Sequence, residues 1–194
     1  MQKLERADLL SLEQYAVDRG RLRLEVIAHK QLRRVQVGPN MTWCFEDRTT
    51  IRYQILEMLR TERIFERAGI QDELDAYNPL IPDGNNWKVT LLVEFPDLSE
   101  RQAALATLIG VEDRCWVEVG GQERVFAVAD EDMERQNAEK TSAVHFLRFQ
   151  LSPPMIQALK SGASVSMGVE HENYRHSQSP IAAGTRDALT ADLD

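Results

Sequence analysis

Cysteine, long apolar runs and an excess of basic charge are what this sequence lacks, and each absence removes a class of function. Its two cysteines, Cys44 and Cys115, stand far apart with no CxxC spacing. They are expected to stay reduced and buried, and neither reads as a nucleophile. No apolar stretch approaches the ~20 residues a membrane span requires, and the N-terminus has neither the basic start nor the apolar segment of a signal peptide. A cytoplasmic location with no membrane partner is the expectation. The formal net charge is -8, from 31 acidic against 23 basic residues, which disfavours a generic nucleic-acid binder. The one local basic run, His29, Lys30, Arg33 and Arg34, reads as a solvated face. No GxGxxG turn, Walker loop or GxSxG elbow is present, so nucleotide-dependent and hydrolase chemistry have no motif behind them. No internal repeat is visible.

What is present suits one α+β domain over residues 1–194, with a helical N-terminal segment at 1–33 and a C-terminal tail at 177–194 that carries a short helix. Asp8 is placed to cap a helix over Leu9 to Tyr15, and a second is expected over Leu22 to Leu32, with Gly20 between them. Val35 to Val37 and Met41 to Phe45 read as a hairpin across Gly38-Pro39-Asn40. Arg48 to Arg67 is the strongest helical pattern, with Gly69 as its stop, followed by a shorter helix over Gln71 to Tyr77. Trp87 to Phe95 reads as a strand, and a helix capped by Asp97 or Ser99 runs to Ile109. Arg114 to Val119 and Arg124 to Val128 pair across Gly120-Gly121. Ala143 to Leu151 and Val165 to Glu170 are further strands, separated by a helix opened by Pro153-Pro154, and Thr185 to Leu189 ends the chain as a helix. About seven strands and four to six helices in mixed order indicate a mainly antiparallel mixed sheet with the long helix packed on one face. Trp43, Trp87 and Trp116 fall in strands and are expected as core or interface anchors.

Three of the four histidines lie in two strand-like segments near the C-terminus. Alternation puts His145 on the face of Leu147, Phe149 and Leu151, with Arg148 on the other, and both faces are apolar enough for a central strand. His171 continues the line of Val165, Met167 and Val169. If the two segments are antiparallel neighbours, His145 and His171 approach on one face and His176 completes the group. With Glu170, Glu172 or Glu62 such a set suits iron or zinc. No HxH or HxxxH pair fixes that geometry locally, and a satisfied core histidine is the competing reading of His145.

Rotation by 100° per residue places Ile51, Ile55, Met58, Leu59 and Phe65 in one stripe with Glu62 near its centre. A carboxylate there needs a cation, donor or metal, and Arg148 or a histidine is the expected partner. A second polar group sits in loops: Glu46, Asp47 and Arg48, then Tyr77 and Asn78, then Asp83, Asn85 and Asn86. Capping and turns account for most of it. Arg48, Arg52 and Tyr53 are placed to face a pocket for a small anion. The acidic run Asp130-Glu131-Asp132, with Glu134 and Glu139, reads as a solvated linker.

Six runs carry a family resemblance: VIAHK (Val26 to Lys30), FEDR (Phe45 to Arg48), YQILEMLRTERIFE (Tyr53 to Glu66), ELDAYNPLIPDGNNWK (Glu73 to Lys88), EKTSAVHFLRF (Glu139 to Phe149) and the histidine-bearing GVEH and YRH between Gly168 and His176. Over almost its whole length the chain resembles the bacterial family catalogued as domain of unknown function 3501. That family has no assigned activity to carry over. The resemblance implies a gene setting beside a rubrerythrin-like di-iron protein and an iron–sulfur oxidoreductase subunit, hence a redox or iron-handling context with partners of that kind. Three readings follow: a non-enzymatic binding or accessory protein with an exposed apolar edge or face, a small iron- or zinc-dependent enzyme, and a homodimeric structural module.

Overall fold

In the computed structural model, which describes residues 2–129 and 140–194, two antiparallel sheets pack their inner faces into one core. The acidic run at 130–139 lies outside the described residues. After a 3-10 turn at Arg6–Asp8, the elements are α1 (Leu12–Gln31), β1 (Arg34–Gln36), β2 (Met41–Phe45), α2 (Arg48–Glu62), α3 (Arg67–Tyr77), β3 (Asn86–Val93), α4 (Leu98–Thr107), β4 (Cys115–Val119), β5 (Val125–Phe126), β6 (Val128–Ala129), β7 (Val144–Gln150), α5 (Pro153–Lys160), β8 (Val165–His171), β9 (Tyr174–Gln178) and α6 (Ala183–Thr190). One sheet runs β1-β2-β3-β7-β6 and the other β5-β4-β8-β9. The α+β class and the antiparallel pairing are as the sequence indicates. The division into two sheets is not, and the strands number nine among the described residues.

Alternation builds the core. Trp87, Val89, Leu91 and Val93 on β3 face inward beside His145, Leu147 and Phe149 on β7, while the intervening residues stay half-exposed. β7 is therefore covered on one face, not two. Trp43 stacks on Phe149 at 5.3 Å between ring centroids, and Phe45 meets Trp87 edge-on at 5.9 Å. From the other sheet come Val117, Val119, Val165, Met167 and Val169. Both cysteines are free, and burial pushes the Cys115 thiol well up.

The helices differ from expectation in three ways. α1 is continuous through Gly20 and starts at Ser11, whose hydroxyl accepts from the Gln14 N–H. An interior glycine weakens a helix by about 1 kcal/mol relative to alanine, which tertiary packing on α2 overrides. α2 stops at Arg63, in the left-handed conformation at φ 56°, rather than running to Gly69. α2 also does not lie on a sheet. Its Ile51, Ile55 and Leu59 join Leu4, Leu74 and Ile81 in a second apolar cluster, separate from the sheet core.

Candidate functional site

The structure places the candidate metal ligands in different surroundings. His145 lies on β7 and is fully buried, with its Nε2 3.0 Å from the Ser142 carbonyl and 2.9 Å from Thr141 Oγ1. A carbonyl only accepts, so this nitrogen carries the proton. His171 ends β8 in the other sheet. Its Nδ1 accepts from the Asn173 N–H at 3.2 Å and its Nε2 donates to the Ile109 carbonyl at 3.2 Å, so neither lone pair is left for a metal. His176 lies exposed on β9 with its ring 4.6 Å from that of Tyr174. Glu170 points outward into an ion pair with Arg124 at 2.9 Å. The expected β7–β8 pairing fails because α5 carries the chain from one sheet to the other, so β7 pairs with β3 and β6 and β8 with β4 and β9. Among the described residues, no group of three or more His, Cys, Asp or Glu side chains could hold a metal ion. The iron- or zinc-dependent reading is left without its ligand set.

Glu62 is corrected in the same way. The early stop of α2 makes it the last helical residue, exposed to solvent, and leaves Phe65 outside the helix. Its charge instead helps raise the Glu73 carboxyl, which burial pushes up first. Arg148 sits on the outer face of β7, opposite Lys88 and Val128, and donates to Gln150 at 3.0 Å.

The remaining candidates come together. Arg48, Arg52 and Tyr53 line a cleft of about 360 Å³ between α1 and α2, and α1 contributes Leu22, Val26 and His29. The spacing i, i+4, i+7 along α1 puts those three on one face. His29, expected on a solvated basic face, lies half-buried instead. Its partner is Asp47, the residue that caps α2: Oδ1 accepts from the Thr50 N–H at 2.8 Å and Oδ2 lies 2.6 Å from His29 Nε2. The buried Arg33 guanidinium stands 3.4 Å from the same oxygen, donates to the Phe45 carbonyl at 3.1 Å, and pairs with the buried Asp192 near the C-terminus. Burial pushes the Asp192 carboxyl up against the opposing pull of Arg33. On the far wall, Arg48 is held by Asp8 at 2.6 Å and Arg52 Nε donates to the Asp8 carbonyl oxygen at 2.7 Å. Asp8 sits below the usual carboxylate range, first through the Glu5 N–H and then through Arg48.

The opposite side of α1 is apolar and uncovered. Val17 is 86% exposed, Leu24 70%, Ile27 48%, and Leu32, just past the helix end, 52%. Val17, Leu24 and Ile27 lie within about 80° of one another around the helix, roughly opposite buried Tyr15 and Val26, and Leu32 follows the last turn. Arg21 beside them is tied to Asp18 at 3.1 Å and Glu25 at 2.8 Å, whereas Arg23 and Lys30 enter no ion pair among the described residues. Among the described residues, no helix is long and apolar enough to cross a membrane.

Comparison with known proteins agrees with this architecture. The model of a family described as protein of unknown function (DUF3501) matches residues 3–193. A crystal structure of a novel protein of unknown function from Burkholderia pseudomallei K96243 is 50% identical, with a TM-score of 0.95 and 100% of both chains covered. No curated protein matches the chain.

Proposed function

The chain belongs to the DUF3501 family, and on that footing we propose that it is a non-enzymatic binding or accessory protein that docks onto a redox or iron-containing partner. The observation that carries this reading is the uncovered apolar line on α1. Apolar surface residues scattered singly need no explanation, but three on one side of one helix, with Leu32 just past its end, form the surface that an amphipathic helix lays its own apolar face against. Arg23 and Lys30 flank that line on a chain whose formal net charge is -8. The fitting occupant is therefore an acidic amphipathic helix of another protein. A second copy of the chain is the competing occupant, and the cross-linking experiment below tells the two apart. The iron or redox character of the partner comes from the gene setting that the family resemblance implies.

A photo-cross-linking residue at position 24 of the full chain, in a bacterium that encodes it, tests this. The expected product joins the chain to an iron- or flavin-containing protein, and disappears when Val17→Glu is added. Val17 is exposed, so that substitution leaves the fold intact. Cross-linking only to a second copy establishes the homodimeric module instead, and no product, or one indifferent to Val17→Glu, overturns the reading.

A further inference from the structure

We propose that the cleft between α1 and α2 binds a small organic anion that also carries a hydroxyl group, with Arg52 gripping the anionic end and His29 accepting from the hydroxyl. Its volume of about 360 Å³ is in the range of small-molecule sites. Leu22, Val26 and Leu56 give it an apolar floor, and the polar groups gather around that floor.

Counting donors assigns the roles. Arg48 has its charge already paired, since one terminal nitrogen is held by the Asp8 carboxylate at 2.6 Å. Arg52 is different. Only its Nε is engaged, by the Asp8 backbone oxygen, and among the described residues no hydrogen bond or ion pair takes its terminal nitrogens. A guanidinium with free terminal nitrogens binds a carboxylate or phosphate through two parallel charge-assisted bonds, more strongly than it binds a neutral group. Glu25, the carboxylate in the lining, is occupied by Arg21 at 2.8 Å.

His29 supplies the second contact. Its Nε2 faces Asp47 at 2.6 Å, and Asp47 is buried, fixed by the Thr50 N–H and backed by Arg33. The carboxylate accepts from Nε2, which fixes the ring in one orientation and leaves Nδ1 to meet the hydroxyl of a ligand. The side chain is 37% exposed, so the ring borders the cleft rather than the core. An anionic group at Arg52 and a hydroxyl at His29 together describe a small hydroxy acid or its phosphorylated counterpart.

Titration calorimetry on the full chain at constant ionic strength tests the site, using lactate and propionate as one pair of probes and glycerol 3-phosphate and inorganic phosphate as the other. The expected result is saturable one-to-one binding within one pair, with the hydroxylated member at least several-fold tighter than its mate. Arg52→Gln weakens that binding tenfold or more and Arg52→Lys less, while His29→Gln removes the preference for the hydroxylated member. Which pair binds tells a carboxylate site from a phosphate site. The proposal is overturned if no probe saturates, or if Arg52→Gln, folded by circular dichroism, binds as the natural chain does. The outcome is independent of whether α1 docks on a partner, because its opposite face is concerned.

Discussion

Glu57 gathers three donors at the seam between α1 and α2. The Tyr15 hydroxyl donates to it, and Arg19 forms a fork through Nε at 2.7 Å and a terminal nitrogen at 2.8 Å. Arg19 above all holds the Glu57 carboxyl down, to about 2 from an ordinary value of 4.5, while burial opposes it. Because the folded value lies below the unfolded one, the stabilisation is present above about pH 4.5 and is lost as pH falls toward 2. Glu57→Gln should lower stability by about 1–2 kcal/mol at pH 7, a figure kept small because the pair is partly solvated. Urea denaturation should show that difference shrinking to nothing near pH 2. No motif marks this trio, since its members lie 38 and 42 residues apart and only the packing of two helices brings them together. The cleft was half legible for the same reason. Arg48, Arg52 and Tyr53 stand within about a turn and a half of a plain helix, but His29 joins them only through a contact across helices. The histidine cluster failed because alternation tells which side of a strand a residue faces, and says nothing of which sheet holds the strand.

At the scale of the element, start and stop signals were legible where the side chain itself does the capping. Asp47 and Asp97 cap α2 and α4 as their positions suggest, and the hairpin through Gly38, at φ +70°, forms where its turn residues lie. Signals that only permit a break misled. Gly20 permits one and α1 ignores it; Arg63 adopts the left-handed stop that Gly69 was better suited to take. Strand β9 has no sequence pattern that separates it from β8, because Arg175 to Gln178 are all exposed and leave no alternation. A methyl group built on Gly20 meets nothing within 4 Å and the residue is helical. Gly20→Ala should therefore raise stability by about 0.5–1 kcal/mol, chiefly by restricting the unfolded chain, and thermal denaturation followed at 222 nm should show the higher midpoint.

Across the whole molecule, the C-terminal segment is a structural part rather than a tail. Leu189 and Leu193 are buried in the sheet core, Trp87 Nε1 donates to the Leu189 carbonyl at 3.0 Å, and the Asp194 N–H reaches the Gly84 carbonyl at 2.9 Å. Asp192 meanwhile answers the buried charge of Arg33. Removing residues 183–194 exposes that core and takes from the buried Arg33 guanidinium the nearer of its two carboxylates, a combined loss of about 4 kcal/mol or more. The midpoint of thermal unfolding should fall by about 10 °C or more. Composition and periodicity gave the α+β class and antiparallel pairing, because those follow from local patterns. The partition into two sheets is set by which strands the core draws together, and local patterns carry no record of that.

One short stretch governs how the two layers come apart. Val125 and Phe126 pair with β4 while Val128 and Ala129, two residues on, pair with β7, and the Ala127 N–H between them bonds to the Cys115 carbonyl at 2.9 Å. The same ribbon thus hems both layers along one margin. Neither can peel away without tugging the rim of the other, so the two layers are expected to melt together, with the most protected amides of each exchanging at one shared rate.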